Sequence, residues 1–239
     1  MSSEKKDNSF DLLGFGKLAK AIPDSVYEKS TETLLTTFEK LTAPITETTS
    51  GFGRYLRQKF DNMVSAEKAI ATYTLEKAIR RARKKARKHH LSINPPIHPK
   101  SFVKAIEEAS KETDPLLHEM WASLLASQMI QQQCHPHFVE ILPHFSPAEA
   151  HLLVSLYNRD QVGQTGGGYL YFSYDIFRNW VRKAGDTNLE TWTYSCVLLC
   201  EFGFADVLAP KKNTYPKEKE VTILFRTVSG NGFLETVTP

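Results

Sequence analysis

Eight cations stand within twelve residues of this 239-residue chain: Lys77, Arg80, Arg81, Arg83, Lys84, Lys85, Arg87 and Lys88, with no acid among them. Such a run offers electrostatic chemistry. Dense Lys and Arg attract phosphate groups, whether of nucleic acid or of anionic lipid headgroups. The other 22 Lys and Arg are outnumbered by 27 Asp and Glu, so the positive character of the chain, formally +3, is concentrated here. The competing use of the run is a solvated helix end whose cations suit the negative end of the helix dipole.

Other chemistry-bearing residues lack the company that a site needs. His135, His137, His144 and His151 lie close in sequence, with Cys134 beside them. A zinc site needs four converging ligands, and signatures pair Cys or His at two- to four-residue spacing; one such pair is present and a matching second pair is not. Cys134 next to His135 is a sequence neighbour, which does not aim an imidazole at a thiol. Gly166-Gly167-Gly168 lacks the Lys-Ser or Lys-Thr of a phosphate-binding loop. Glu119 and Glu140, on separate helices, could face each other, but exposed or capping roles are commoner for such residues. The expectation is a binding protein rather than an enzyme, with no catalytic residues, no metal and no cofactor.

The elements that position these residues are mainly helical. Asp114 reads as an N-cap, and Pro115 occupies the first helical position, where its missing N–H costs little. Leu117, Met120, Trp121, Leu124, Leu125 and Gln128 then give one buried stripe. Ser146, Pro147 and Glu149 write a second helix start, a capping box with proline in its preferred place. Between them His135-Pro136 breaks the chain, and Phe138, Ile141 and Leu142 form a short amphipathic helix ending near Pro143. From Arg54 to Asn94 there is no Gly or Pro. One long helix is expected from about Gly53 to His90, roughly 55 Å at 1.5 Å per residue. Upstream, residues 10–50 carry helical segments broken by Gly14, Gly16, Pro23 and Pro44, and Val26, Leu34, Phe38 and Leu41 give a partial stripe. Downstream come a loop at Gly163–Gly168, a strand Tyr169–Phe172, and a helix capped by Ser173 with Ile176, Phe177, Trp180 and Val181. Gly185 ends the turn after that helix. Thr187 and Glu190 then start a helix through Leu189, Trp192, Cys196, Leu199 and Cys200, closed by Gly203. Val207–Ala209 and Val221–Phe225 complete the order as a hairpin. That succession is the order of a winged helix-turn-helix. Its reading helix, 188–202, carries Glu190 and Glu201 and no Lys or Arg, while wing residues Lys211, Lys212, Lys217 and Lys219 are partly offset by Glu218 and Glu220. This argues against base reading.

Composition bounds the rest. No stretch approaches 18 uncharged apolar residues, so no transmembrane helix is expected. The N-terminus is polar, without an apolar signal core. Three cysteines argue for a reducing cytoplasm rather than a disulfide framework. Phe10, Leu12, Leu13, Phe15, Leu18 and Ile22, with Lys17 and Lys20, are open to a short interfacial helix, but packing on the protein's own core is the simpler use.

Three runs carry a family resemblance: Leu117-His118-Glu119-Met120-Trp121-Ala122-Ser123-Leu124-Leu125-Ala126, His135-Pro136-His137-Phe138-Val139-Glu140-Ile141-Leu142, and Phe145-Ser146-Pro147-Ala148-Glu149-Ala150. Together they resemble the abortive infection alpha family of bacterial phage-defence proteins. Gly16–Pro23 looks like the family's opening segment, and Leu199–Phe204 with Thr227–Gly230 looks like its tail. The resemblance implies antiviral defence and phage resistance, and supplies no catalytic signature. The residues of the family motif and of the helix start just before it, Asp114, Pro115, Trp121, His135, Pro136, Phe138, Glu140, Ser146, Pro147 and Glu149, are expected to be structural. The fold expected is mainly α, with long N-terminal helices, a helical middle and a small winged-helix-like α/β C-terminal part. Its divisions are 1–94, 95–145 and 146–239. The leading function is a cytoplasmic defence protein that binds an unidentified protein partner or phage component. The basic run is its contact for polyanion or partner. The alternatives are an effector at the inner membrane surface binding anionic lipid, and, more weakly, a winged-helix DNA-binding regulator.

Overall fold

A computed structural model describes residues 22–46, 50–130, 134–158, 169–173, 193–208 and 221–238. These residues are mainly helical, with one small sheet near the C-terminus. The chain divides into two compact units, Met1–Pro143 with Thr236–Pro239, and His144–Glu235.

The first unit contains α1 (Asp24–Tyr27), α2 (Thr31–Thr46), α3 (Ser50–Asp61), α4 (Ser65–His89), α5 (Pro99–Ala109), α6 (Pro115–Met129) and α7 (His137–Ile141). Helix α6 is its centre, with every residue from Leu116 to Met129 buried. It starts as its sequence dictates: the Asp114 carboxylate accepts hydrogen bonds from the Leu116 and Leu117 N–H groups at 2.9 and 3.0 Å. Helix α4 packs most extensively on α6 and also meets α1, α2 and α5. Aromatic pairs join the outer helices. Phe38 of α2 stacks on Phe60 of α3 with centroids 3.9 Å apart, and Phe52 of α3 meets Phe102 of α5 edge-on at 6.3 Å.

Two expectations are corrected here. The single helix over 53–90 is two, α3 and α4, separated by Asn62-Met63-Val64. The Met63 N–H bonds back three residues to the Phe60 carbonyl, a tightened last turn, and the Glu67 carboxylate accepts the Val64 N–H to open α4. Pro44 does not interrupt its helix either. It lies in the last turns of α2, where its missing N–H removes a single ladder bond.

The second unit contains α8 (Pro147–Asn158), β1 (Tyr169–Ser173), α9 (Tyr194–Glu201), β2 (Ala205–Leu208), β3 (Val221–Arg226) and most of α10 (Val228–Val237). The strands form an antiparallel sheet in the order β1-β3-β2, with Tyr171 opposite Ile223 and Val207 opposite Leu224. Phe145, Phe204 and Phe233 make its aromatic core; Phe204 and Phe233 stack at 4.4 Å. Ser146 opens α8. Its N–H donates to Glu149 Oε2 at 2.7 Å, and its hydroxyl oxygen accepts from the Ala148 N–H. Burial alone would raise the Glu149 pKa, but hydrogen bonds from Ser146 and Ser195 hold it below the usual carboxylate range.

Helix α10 was not expected. Thr227 caps it, accepting from the Gly230 N–H at 3.0 Å while its own hydroxyl donates to the Gly203 carbonyl at 2.5 Å. The segments Leu199–Phe204 and Thr227–Gly230 therefore meet. Gly230 lies so close to the Phe204 carbonyl oxygen that a Cβ on it would stand 2.1 Å away. The expected loop Gly163–Gly168, the Ser173-capped helix and the Thr187–Glu190 helix start lie outside the described residues. So do the wing lysines at 211–219 and all of the Phe10–Ile22 segment except Ile22, which is buried.

Candidate functional site: the two faces of the basic helix

The eight cations of the run all lie on α4, and the helix sorts them. Leu75, Ala78, Ile79, Ala82 and Ala86 are buried and form its inner stripe. Alanines at three of these positions allow the neighbouring backbone to come close. Arg80, Arg83, Lys84, Arg87 and Lys88 are exposed. At 3.6 residues per turn they fall within about 140° of one face. Lys77, Arg81 and Lys85 are half-buried and turn inward. Among the exposed five, Arg80 shares an ion pair with Glu76 at 3.2 Å, one turn back.

The inward cations converge on α6. Lys77 Nζ bonds to Glu119 Oε1 and Arg81 Nη2 to Glu119 Oε2. Arg81 Nη1 also donates to the Glu119 carbonyl and to Ser123 Oγ, each at 2.7 Å. One buried carboxylate therefore serves two cations. Burial, with Arg81 and Arg80 nearby, lowers the Lys77 pKa to about 8, and burial lowers that of Arg81 to about 10. Both remain cationic at neutral pH. Lys85 is also lowered, first by burial and then by Arg81, and donates to the Thr238 carbonyl at 3.0 Å.

His118 completes the cluster. The single Thr74 hydroxyl proton goes to the Ile70 carbonyl at 2.8 Å, so Thr74 Oγ1 accepts from His118 Nε2, 2.7 Å away. Nδ1 is left as a buried acceptor without a hydrogen-bond partner. The Tyr73 ring stacks on the imidazole at 5.7 Å and carries Lys77 Nζ 5.1 Å from its centroid. Burial, then the charges of Lys77 and Arg81, push the His118 pKa down to about 3, so the ring is neutral at pH 7.

The remaining sequence candidates lie apart from this cluster. Trp121 and Phe138 are buried core residues, and Pro136 precedes α7. Glu140 is exposed and pairs with Lys104, not with Glu119. His135 Nδ1 accepts the His137 N–H at 3.2 Å, so its ring braces its own turn. Burial pushes the Cys134 thiol up to about 11, away from the thiolate a nucleophile needs. Among the described residues, no group of three or more His, Cys, Asp or Glu could hold a metal ion, and no helix is long and apolar enough to cross a membrane. Sequence reasoning missed the roles of His118 and Glu119. A signal was present: Lys77, Arg81 and Lys85 recur every four residues, each one place before a buried alanine.

Residues 68–205 match the family model described as abortive infection alpha. That span holds all eight cations, the Glu119 cluster and both helix starts, while Gly16–Pro23 and Thr227–Gly230 fall outside it. No curated protein and no solved structure matches the chain.

Proposed function

Because the chain belongs to the abortive infection alpha family, which suggests a phage-defence role, we propose that it acts by holding an anionic partner on the outer face of α4 rather than by catalysis. The observation that carries this reading is the sorting of the basic run. Three cations are committed inward, and five remain exposed on one face of a helix whose other face is fixed in the core. An exposed cluster of one sign raises the local concentration of anions. On this reading the protein works in the cytoplasm.

A winged-helix use of the second unit is the weaker reading. The antiparallel β2–β3 pair with β1 alongside favours it. The described residues of α9 count against DNA contact, since they carry Glu201 and no Lys or Arg.

The test is a plating assay on bacteria that express the protein. Wild type should reduce phage plaques, and a variant with Arg80, Arg83, Lys84, Arg87 and Lys88 all changed to Gln should lose most of that protection while folding normally. Equal protection by the variant would remove the contact face from the mechanism.

A further inference from the structure

The partner class can be narrowed, on the premise that the outer face of α4 is a contact surface. We propose that this face holds the phosphate backbone of double-stranded nucleic acid without reading its sequence. Three features of the helix point there.

The first is spacing on a rigid support. Arg80, Lys84 and the Arg87–Lys88 pair recur once per turn, and the five cations span about 12 Å of axis at 1.5 Å per residue. A duplex carries one negative charge per ~1.7 Å of axis over its two strands. A ridge of this length therefore spans several phosphates. It cannot readily bend away, because the buried alanine stripe and the Lys77–Glu119–Arg81 pairs clamp its other side to α6.

The second is what the outer face lacks. Helix α4 contains no Asn or Gln, the side chains that take adenine bidentately, so any base contact would fall to Arg and Lys alone, and its exposed cations are not interleaved with exposed aromatics. Single-stranded binders use aromatic platforms on which bases stack. Phosphate contact needs neither.

The third weighs against insertion into lipid. An interfacial helix sinks an apolar face among acyl chains. Here the apolar face of α4 is the buried one. Exposed Leu91 and Ile97 lie in the loop beyond the helix.

Fluorescence anisotropy of the full chain with short DNA and RNA duplexes, beside co-sedimentation with phosphatidylglycerol vesicles, tests the proposal. Binding should be equal for duplexes of unrelated sequence. Its logarithm should fall against the logarithm of salt concentration with a slope of about −4.5, or about −0.9 for each of five neutralised phosphates. Lys84→Gln should make that slope shallower by about 1, and the five-Gln variant should lose binding. Retention of duplex binding by the five-Gln variant would overturn the assignment to this face, and a marked sequence preference would overturn backbone-only contact. Vesicle binding with the duplex left free would overturn the nucleic-acid assignment and leave the anionic-contact reading standing. Binding to neither at low salt would remove both.

Discussion

Glu119 is one carboxylate between two cations in the core of the first unit. Removing one partner of a buried pair leaves an uncompensated charge, at a cost of about 3–5 kcal/mol. Glu119→Gln should therefore destabilise the protein by that amount in chemical denaturation, because it strands both Lys77 and Arg81. Lys77→Met should cost far less, since Arg81 keeps its pair and the surplus buried charge disappears. Equal losses would contradict the arrangement. His118 adds a pH dependence whose sign is fixed. Its pKa is about 3 in the fold against 6.5 ordinarily, so between those values the unfolded chain binds a proton that the folded chain refuses. This contribution is whole above pH 6.5 and is lost on acidification toward pH 3. It amounts to about 5 kcal/mol at most. The stability difference between pH 7 and pH 4.5 should be smaller in His118→Gln than in wild type. Little of this cluster was legible in advance. The cations were visible as a run, but which of them turn inward depends on α6, a helix some forty residues away in sequence. The buried stripe read from α6 also omitted positions 118 and 119, which face α4.

At the level of elements, the local starts were legible and the tertiary ones were not. Asp114-Pro115 and Ser146-Pro147-Glu149 carry their own hydrogen-bond chemistry, and both helices begin where those residues require. The turn between α3 and α4 contains neither Gly nor Pro, and its only signals are the weaker ones of Asp61, Asn62 and Ser65. Helix α10 contains Gly230 and Gly232, poor helix formers, and was hidden for that reason. Gly230 also supplies a test. In an exposed helix interior Gly→Ala gains about 1 kcal/mol. Here the new methyl would press on the Phe204 backbone, so Gly230→Ala should instead lose about 1–3 kcal/mol and lower the melting temperature. A gain would mean that α10 and the Phe204 turn are not held together as described.

On the scale of the molecule, the first unit is assembled from both ends of the chain. Ser127 Oγ of α6 donates to the Thr236 carbonyl at 2.9 Å, Lys85 reaches the Thr238 carbonyl, and Val237 is fully buried. A chain shortened to end at Glu235 should lose roughly 3 kcal/mol, from the lost apolar burial and two unmade hydrogen bonds. Thermal denaturation would report it, and an unchanged melting temperature would show that these contacts contribute nothing. The same contacts have a consequence in time. Residue pairs 109 and 153 positions apart can close only after the intervening chain exists. At ~5–20 residues per second, a ribosome that has finished Pro143 needs roughly 5–20 s more to reach Thr236. Through that interval α4 and α6 wait with Lys85 and Ser127 unsatisfied. A nascent chain stalled anywhere in the second unit leaves the first one unfinished. Completion of the first unit is therefore coupled to uninterrupted translation through the second unit to Thr238.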